Sequence, residues 1–303
     1  MEVLTDNEVA DVPISAFIEP VADFVIADFM GETTAPPRHA VDFHTGKIVF
    51  TTGGNDRLAG FRAYESFASR QRTNEQQIVA AWDTRTCALK GIYVGTRLGA
   101  MRTGTLGAIA VATLAPASAT ICALIGTGLQ AETQLLGILA RRKLTQVRVY
   151  SRQKANRDAF VERIRPLVAV DMIVCDTAED AVSSADIAVL ATSAGAPVVD
   201  PAALRSVTHI TTVGPKFLTS HELPLEAVSN RLLVSDSPQQ IRDQGDRHLL
   251  HGHPRSVDIR HLGEVLQHGR CNEPKQSLYF SAGLAGTEII ALDAALSWLA
   301  EHR

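Results

Sequence analysis

A strand, a glycine turn, a helix and a second strand follow one another between positions 120 and 152, and this order constrains the fold most. The first strand, Thr120-Ile121-Cys122-Ala123-Leu124-Ile125, runs into Gly126-Thr127-Gly128-Leu129-Gln130-Ala131, a G-x-G-x-x-G/A turn. Its first glycine permits the sharp bend, its second admits a pyrophosphate, and Ala131 still packs helix on strand. The segment predicts a dinucleotide-binding βαβ unit, with the pyrophosphate at the helix N-terminus. A tight turn that binds nothing is the alternative.

The end of the second strand indicates which dinucleotide is bound. Sites for NAD place Asp or Glu about 20 residues past the glycines, where the carboxylate bonds the ribose 2′-hydroxyl. This chain instead has Ser151 and Arg152, with Lys154 and Arg157 close behind. A hydroxyl and a guanidinium suit a 2′-phosphate, so we expect NADP(H) to be preferred and NAD(H) to be possible. The alternative is that these cations only begin the next helix in solvent.

The composition is that of an ordinary globular protein, with 46% hydrophobic and 20% charged residues among 303. A net charge of −4 favours neither nucleic acid nor an anionic membrane as a partner. The first residues lack the basic and apolar regions of a signal peptide, and no apolar run is long enough to span a bilayer. We therefore expect a cytoplasmic protein.

Cysteine and histidine spacing does not favour a metal site. Four cysteines stand without C-x-x-C spacing: Cys87, Cys122, Cys175 and Cys271. Two of them, Cys122 and Cys175, lie in or beside predicted buried strands and are interpreted as small core residues. The group His248, His251 and His253 is a weak metal candidate that a polar loop explains as well. We expect no metal.

Two patterns divide the chain near position 105. Residues 14–30 predict a helix, and short runs at 40–43, 47–52, 60–64, 77–83 and 89–94 predict a meander or barrel sheet. From a helix at 106–114 onward, strands at 120–125, 146–150, 170–174, 187–191, 209–213 and 231–234 alternate with helices. We expect an α/β protein, with a Rossmann-type doubly wound parallel sheet in residues 105–278. Residues 1–104 with 279–303 form a second, α+β domain, on which the amphipathic closing helix packs.

Three arginines of the first domain are candidates for binding an anion. Arg102 lies at the domain junction, where its guanidinium can hold a carboxylate through two hydrogen bonds; a surface ion pair is the alternative. Arg38 follows two prolines and Arg62 lies in a strand-like run. Exposed strand positions are the simpler explanation of these two.

Two strand ends of the nucleotide domain are candidates for cofactor contacts. Thr192 and Ser193 end one strand and Gly214 ends another, and ligands of open α/β sheets gather at the carboxyl ends of strands. Lys216 lies just beyond. Its ammonium group can bond a carbonyl or carboxylate, or donate a proton if burial lowers its pKa, and a solvated loop lysine is an equal alternative.

Together these residues resemble the ornithine cyclodeaminase/mu-crystallin family over most of the chain. The Gln130-Ala131 pair after the second glycine is typical of that family among Rossmann proteins. The motifs that carry the resemblance occur in this order: Pro37-Arg38, Met101-Arg102-Thr103, Gly126 to Ala131, Ala191-Thr192-Ser193 with Pro197, Val213-Gly214 followed by Glu222-Leu223, Gly245-Asp246, Leu262-Gly263-Glu264-Val265, and Phe280-Ser281-Ala282-Gly283 before the closing helix.

The resemblance implies a first domain that binds substrate and forms a homodimer. It implies a substrate carboxylate held by Arg102 with Arg38, and hydride transfer at a carbon that bears nitrogen. Tyr150-Ser151-Arg152 is similar to the NADPH-using branch that includes mu-crystallin ketimine reductase. The expected cofactor contacts are Thr103, Gly126, Thr127, Gly128, Leu129, Gln130, Ala131, Ser151, Arg152, Lys154, Thr192, Ser193, Val213 and Gly214.

Three positions depart from the family pattern. Arg62 stands where cyclodeaminases carry a catalytic lysine, Lys216 where they carry an aspartate, and Val49 where they carry a glutamate. An arginine stays protonated and is not a tunable acid or base, and a lysine reverses the charge of a carboxylate base. The pattern therefore disfavours ornithine cyclodeamination.

The sequence therefore predicts an NAD(P)H-dependent oxidoreductase that reduces an imine (ketimine) or 2-oxo group beside a carboxylate. Arg62 and Lys216 are the predicted catalytic residues, with Lys216 the better proton donor. One alternative is an ornithine cyclodeaminase or an amino-acid (alanine-type) dehydrogenase whose base is Glu65, Asp56 or a water. The other is a protein that binds NADPH without catalysis.

Overall fold

The computed structural model describes residues 2–67, 76–270 and 274–302. The elements up to residue 114 are β1 (Glu2–Leu4), α1 (Asp6–Asp11), α2 (Ser15–Phe29), β2 (His39–Phe43), β3 (Gly46–Gly54), β4 (Leu58–Phe67), β5 (Gln77–Asp83), β6 (Leu89–Gly95) and α3 (Arg97–Leu114). Those that follow are β7 (Ile121–Ile125), α4 (Leu129–Arg141), β8 (Gln146–Tyr150), α5 (Lys154–Ile164), β9 (Asp171–Val174), α6 (Ala178–Val182), β10 (Ile187–Leu190), β11 (His209–Thr212), β12 (Lys216–Phe217), β13 (Ser220–His221), β14 (Leu232–Ser235), α7 (Pro238–Asp243), β15 (Arg260–His261), α8 (Leu262–His268), β16 (Ser277–Phe280) and α9 (Thr287–His302).

The chain divides into two compact units, and the first comprises Met1–Arg102 with Gly283–Arg303. Its described strands form a six-stranded sheet in the order β1-β6-β5-β4-β3-β2. Strands β2 to β6 are an antiparallel meander, one of the two sheet types that the short strand-like runs predicted, and β1 pairs parallel with β6. The closing helix α9 packs on β3 to β6 and on α2, which places its first turn against the sheet.

Helix α3 begins at Arg97 rather than at position 106, where the apolar pattern predicted its start. The Asp6 carboxylate accepts the main-chain N–H groups of Thr96 (3.0 Å) and Arg97 (2.7 Å), which caps the helix from a distant part of the chain. Burial raises the pKa of Asp6, but hydrogen bonds from Tyr93, Arg97 and Thr96 outweigh burial and lower it. This cap places Arg102 in the second turn of a helix.

The second unit, Thr103–Ala282, contains the Rossmann-type sheet that the sequence predicted. Its eight described strands are all parallel, in the order β15-β14-β16-β11-β10-β7-β8-β9. Apolar clusters cover both faces, one including α4 and α5 and the other including α6 and α7. The doubly wound α/β class is thus confirmed, and every predicted strand of this sheet is present within a residue or so of its expected ends.

Strand β16 corrects the division between units that we expected after position 278. Ser277–Phe280 lies inside the parallel sheet, paired with β11 on one side and β14 on the other, so the second unit continues to Ala282. All four of its residues are buried. A buried run of four residues has no periodicity that distinguishes a strand from part of a helix, which is why the sequence does not reveal it.

Two cysteines, Cys122 and Cys175, are buried core residues as predicted, whereas Cys271 lies outside the described residues. In the described ranges of the chain, none of the helices combines the length and the apolar character that crossing a bilayer requires.

Candidate cofactor cavity and arginine cluster

A cavity of about 770 Å³ opens at the carboxyl ends of β7, β8, β10 and β11. The strand order reverses at β7, whose neighbours are β8 and β10, and open α/β sheets bind ligands at such a reversal. The size falls within the usual range for a cofactor site. The lining residues are Ile125, Gly126, Thr127, Gly128, Gln130, Tyr150, Ser151, Arg152, Gln153, Asn156, Ala191, Thr192, Ser193, Ala194, Gly195, Val198, Val213 and Gly214.

The two glycines of the turn are required for different reasons. Gly126 has a φ of +120°, and a Cβ there would overlap the Ala191 carbonyl oxygen. Its N–H donates to the Tyr150 oxygen at 2.8 Å, which fixes the bend. Gly128 caps helix α4 with an ordinary φ of −84°, and a Cβ there would meet no atom within 4 Å. The space over Gly128 therefore fits a pyrophosphate at the N-terminus of α4.

The cations after β8 separate into one that lines the cavity and two that do not. Ser151 and the exposed Arg152 line it. Lys154, predicted as a cofactor contact, is exposed and binds Asp158 one turn along α5 at 2.6 Å. Arg157 is buried and donates to the main-chain oxygens of Cys175 (2.9 Å) and Asp176 (3.1 Å). Helical periodicity turns these two side chains away from the strand end.

Three further residues that we predicted to contact the cofactor lie outside the cavity lining. Among the described residues that line the cavity, Thr103, Leu129 and Ala131 do not occur. Thr103 is buried, and its carbonyl accepts the Gln134 amide at 2.9 Å. Ala131 is fully buried in the apolar core beneath α4, and Leu129 is the first residue of that helix. Of the three, Ala131 packs beneath α4 as the sequence predicted for the third position of the glycine motif.

The two predicted strand ends form one wall of the cavity. Thr192, Ser193, Val213 and Gly214 all line it. The Lys216 ammonium group donates to the carbonyl oxygens of Val213 (2.9 Å) and Gly214 (2.7 Å), so the side chain folds back on this wall. The wall also has an acidic support, since the buried Glu222 carboxylate accepts hydrogen bonds from both strand ends. The sequence placed Glu222 in a family motif but predicted no role for it.

The arginines of the first unit meet at a buried carboxylate. Glu288, in the first turn of α9, is 2% exposed. Its Oε1 accepts Nε (2.9 Å) and Nη2 (2.7 Å) of Arg102 and Nη1 of Arg62 (2.8 Å). No role was predicted for Glu288 from the sequence. The available signal was an acidic residue in the first turn of an otherwise apolar helix, which is also an ordinary dipole interaction.

The side chains of this cluster are ionised, and their opposite charges stabilise one another. Burial raises the pKa of the Glu288 carboxyl, but the charges of Arg102 and Arg62 outweigh burial and lower it to about 2. Burial also lowers the pKa of the Arg62 guanidinium, although Glu288 opposes this effect. Arginine nevertheless stays protonated, so Arg62 is a fixed cation that also stacks 4.2 Å from the Tyr64 ring centre.

Arg38 brings a third guanidinium to the same cluster. Its Nη2 donates to the Gly283 carbonyl at 3.1 Å, and a Cβ on Gly283 would lie close to both Arg38 and Arg102. The three predicted arginines thus lie together, with Glu288 as the acidic member. Guanidiniums gathered in this way suit an anionic ligand, since each can donate two parallel hydrogen bonds to a carboxylate.

Other candidates from the sequence have local partners. The Glu65 carboxylate accepts the Phe67 N–H at 2.6 Å, and Asp56 is exposed and pairs with Arg85 at 3.1 Å. Val49 is buried. In the histidine group, Nδ1 of His248 accepts the Leu250 N–H at 3.1 Å and Nδ1 of His253 accepts the Arg255 N–H at 3.2 Å. Hydrogen bonds to the main chain therefore account for these rings.

Known proteins resemble this chain in sequence and in fold. A Delta(1)-pyrroline-2-carboxylate reductase of Bacillus cereus (strain ATCC 10987 / NRS 248) is 26% identical, over 96% of this chain and 94% of the relative. The ketimine reductase mu-crystallin of Macropus fuliginosus is 27% identical, over 72% of this chain and 68% of the relative. The structure of Thermococcus litoralis Delta(1)-pyrroline-2-carboxylate reductase in complex with NADH and L-proline superposes with a TM-score of 0.87 at 25% identity, over 100% of this chain and 98% of that one.

The family model of the ornithine cyclodeaminase/mu-crystallin family matches residues 4–296. That range includes the glycine turn, both strand ends, the three arginines and Glu288. The resemblance inferred from the sequence is thus confirmed, and the chain belongs to the ornithine cyclodeaminase/mu-crystallin family.

Proposed function

We propose that this protein is an NADPH-dependent reductase that acts on a C=N bond, or a C=O bond, next to a carboxylate. The observation that carries the proposal is the gathering of Arg38, Arg62 and Arg102 around Glu288, in a chain that also contains a dinucleotide cavity. The similarity to proteins named pyrroline-2-carboxylate reductase and ketimine reductase supports it.

The substrate carboxylate binds to Arg102 and Arg38 in this proposal. Glu288 takes the Nε and Nη2 groups of Arg102, which orients the guanidinium plane before substrate arrives. An oriented guanidinium binds a carboxylate with less loss of side-chain entropy than a mobile one. Arg62 stabilises negative charge on the bound substrate without exchanging a proton, because its guanidinium stays protonated.

The cavity of the second unit holds the cofactor, whose nicotinamide supplies the hydride to carbon. The glycine turn binds the pyrophosphate, and Thr192, Val213 and Gly214 form the wall for the nicotinamide end. The nitrogen of a reduced imine also needs a proton. Lys216 is the proposed donor, with its ammonium group 2.7 Å from the Gly214 oxygen.

The proposed function is tested by asking whether the substrate must carry a carboxylate. We expect NADPH oxidation with a cyclic imine that carries a 2-carboxylate, and a kcat/KM at least ~100-fold lower with the same ring lacking the carboxylate, because the arginines then lose their partner. The measurement is NADPH absorbance against both imines and a panel of 2-oxo acids. Ammonia release from an amino acid with NADP⁺ would instead indicate the cyclodeaminase or dehydrogenase. NADPH binding without turnover on the whole panel would indicate a non-catalytic protein.

Arg152 determines the cofactor preference in this proposal. Replacing Arg152 by alanine should raise the Kd for NADPH ~10-fold and leave the Kd for NADH nearly unchanged, because only NADPH carries the 2′-phosphate. Fluorescence titration measures both constants. Lys154→Ala is the matched control, since that side chain pairs with Asp158 outside the cavity. Equal losses of NADPH and NADH affinity in Arg152→Ala would contradict the assignment.

The first unit also supports the proposed homodimer. Val41, Phe43, Phe50 and Ile78 are 37–52% exposed, and strand register places them on one face of the sheet. Exposed apolar residues on one face are typical of a protein–protein interface, and a second copy of this chain is the proposed occupant. Sedimentation at the mass of one 32.6 kDa chain would contradict the dimer.

A further inference from the structure

Glu222 is a buried carboxylate that joins the ends of two strands. It is 0% exposed. Its Oε2 accepts the main-chain N–H of Thr192 (2.8 Å) and the hydroxyl of the same residue (2.8 Å), at the end of β10. Its Oε1 accepts the Thr212 hydroxyl (2.8 Å) and the N–H groups of Val213 (3.1 Å) and Gly214 (2.6 Å), at the end of β11. One side chain thus receives five hydrogen bonds.

The residues that Glu222 binds belong to the cavity. Thr192, Val213 and Gly214 all line it, so the carboxylate lies directly behind the wall. The main chain of Glu222 adds a further tie, because its carbonyl accepts the N–H of Val198, another lining residue, at 3.0 Å. The shape of this wall therefore depends on a residue that is not itself among those lining the cavity.

Close approach explains the glycine at position 214. A Cβ on Gly214 would overlap the Thr192 oxygen and lie 2.5 Å from Oε2 of Glu222. The absence of a side chain lets the two strand ends and the carboxylate come together. Gly214 itself lines the cavity on the other side of this contact.

The hydrogen bonds require acceptors at both oxygens of Glu222. Each oxygen receives at least one main-chain N–H, and a main-chain donor cannot reverse its role as a hydroxyl can. An ionised carboxylate accepts at both positions, whereas an amide or a protonated acid places a donor group at one of the two. The arrangement therefore depends on the carboxylate and not only on the shape of the side chain.

We propose that Glu222 is a positioning residue for the nicotinamide half of the cofactor, acting through the ends of β10 and β11. The inference rests on the proposed function. The adenosine half lies by contrast at the end of β8, where Ser151 and Arg152 line the cavity and where Glu222 has no hydrogen bond among those found in the described residues. Loss of the carboxylate should therefore affect the two halves of the cofactor unequally.

The test variant is Glu222→Gln, which keeps the size of the side chain and removes the charge. Neither orientation of the amide satisfies the site, because the NH₂ group faces a main-chain N–H in both. Thr212→Val is the matched control. It removes the hydroxyl that donates to Oε1 of Glu222 and leaves the Val213 and Gly214 N–H groups in place. Each protein is titrated with NADPH and with adenosine 2′,5′-bisphosphate, which carries the adenosine half alone.

We expect Glu222→Gln to raise the Kd for NADPH roughly 10- to 100-fold, to leave the Kd for adenosine 2′,5′-bisphosphate within about twofold, and to lower kcat. Thr212→Val should change the Kd for NADPH less than about fivefold. Equal losses for the two ligands would show a merely structural role, and no loss for either would show that the carboxylate is unnecessary. Both results overturn the inference.

A variant that does not fold and a wild-type protein that binds no ligand are two further outcomes, and each has its own interpretation. If Glu222→Gln does not fold, Glu222→Asp makes the same comparison with the charge retained; a smaller loss confined to NADPH supports the inference, and equal losses overturn it. A wild-type protein that binds neither ligand overturns the proposed function itself. Wild-type binding of both ligands with unequal loss in the variant is the result expected here.

Discussion

Replacing Glu288 by glutamine is expected to lower the free energy of unfolding by about 3–5 kcal/mol at neutral pH. The carboxylate is the buried acidic partner of Arg102 and Arg62, whose side chains are 7% and 15% exposed. Without it, guanidiniums remain close together with little water to solvate them. Removing one member of a buried ion pair costs more than the pair itself contributes, because the remaining charge has lost its partner.

The same carboxyl group should make stability depend on pH. Its pKa in the folded protein is about 2, below the ordinary value of 4.5, so its contribution is fully present above 4.5 and is lost as the pH falls toward 2. Urea unfolding at neutral pH and at acidic pH measures both effects. The decline of stability in acid should be shallower in Glu288→Gln than in the wild-type protein.

The matched control for Glu288 is Glu264→Gln. Glu264 pairs with Arg260 at 2.8 Å across one turn at α8, and its side chain is 30% exposed. Solvent screening limits such a pair to about 1 kcal/mol or less. If Glu288→Gln were no more destabilised than Glu264→Gln, the buried cluster would not have the energetic role assigned to it.

The second large effect is expected from Gly126→Ala. This substitution places a side chain at a φ of +120° and forces its Cβ into the Ala191 carbonyl oxygen at the end of β10. Backbone strain and overlap each cost about 1–3 kcal/mol, so we expect a loss of several kcal/mol in stability. Thermal unfolding without cofactor measures this loss directly.

Gly128→Ala is the comparison variant, because it should weaken cofactor binding without lowering the stability of the fold. Gly128 has a φ of −84° and open space where a Cβ would be, so stability should change by less than about 1 kcal/mol. The new methyl group projects into the cavity at the N-terminus of α4, where it should raise the Kd for NADPH at least ~10-fold by blocking close approach of the pyrophosphate. A destabilised Gly128→Ala, or one that binds NADPH normally, would contradict this account of the turn.

The nucleotide unit was predictable because its information is local. The glycine turn, its strand and its helix occupy adjacent positions, and side-chain periodicity identifies each element without knowledge of the rest of the chain. The same holds for the antiparallel meander of the first unit. Where a helix boundary depended on a distant residue, as with the Asp6 cap of α3, local pattern was not sufficient.

The direction in which side chains point was less predictable. Lys154 and Arg157 follow the β8 strand end closely in sequence, yet of the three cations that follow β8 here only Arg152 lines the cavity, since one turn of α5 directs the other two to Asp158 and to the Cys175 carbonyl. The sequence shows that cations follow the strand. Helix geometry determines which of them faces a ligand.

From its sequence alone this chain is determined to be a doubly wound α/β protein of the ornithine cyclodeaminase/mu-crystallin family, because motif order and periodicity are properties of neighbouring residues. The hydrogen-bond partners of Glu288 and Glu222 are evident only from the tertiary structure. Glu288 lies 186 positions from Arg102 and 226 from Arg62, and Glu222 lies 30 positions from Thr192. A buried carboxylate is stable only where folding brings enough donors around it, and no local pattern specifies which donors those are.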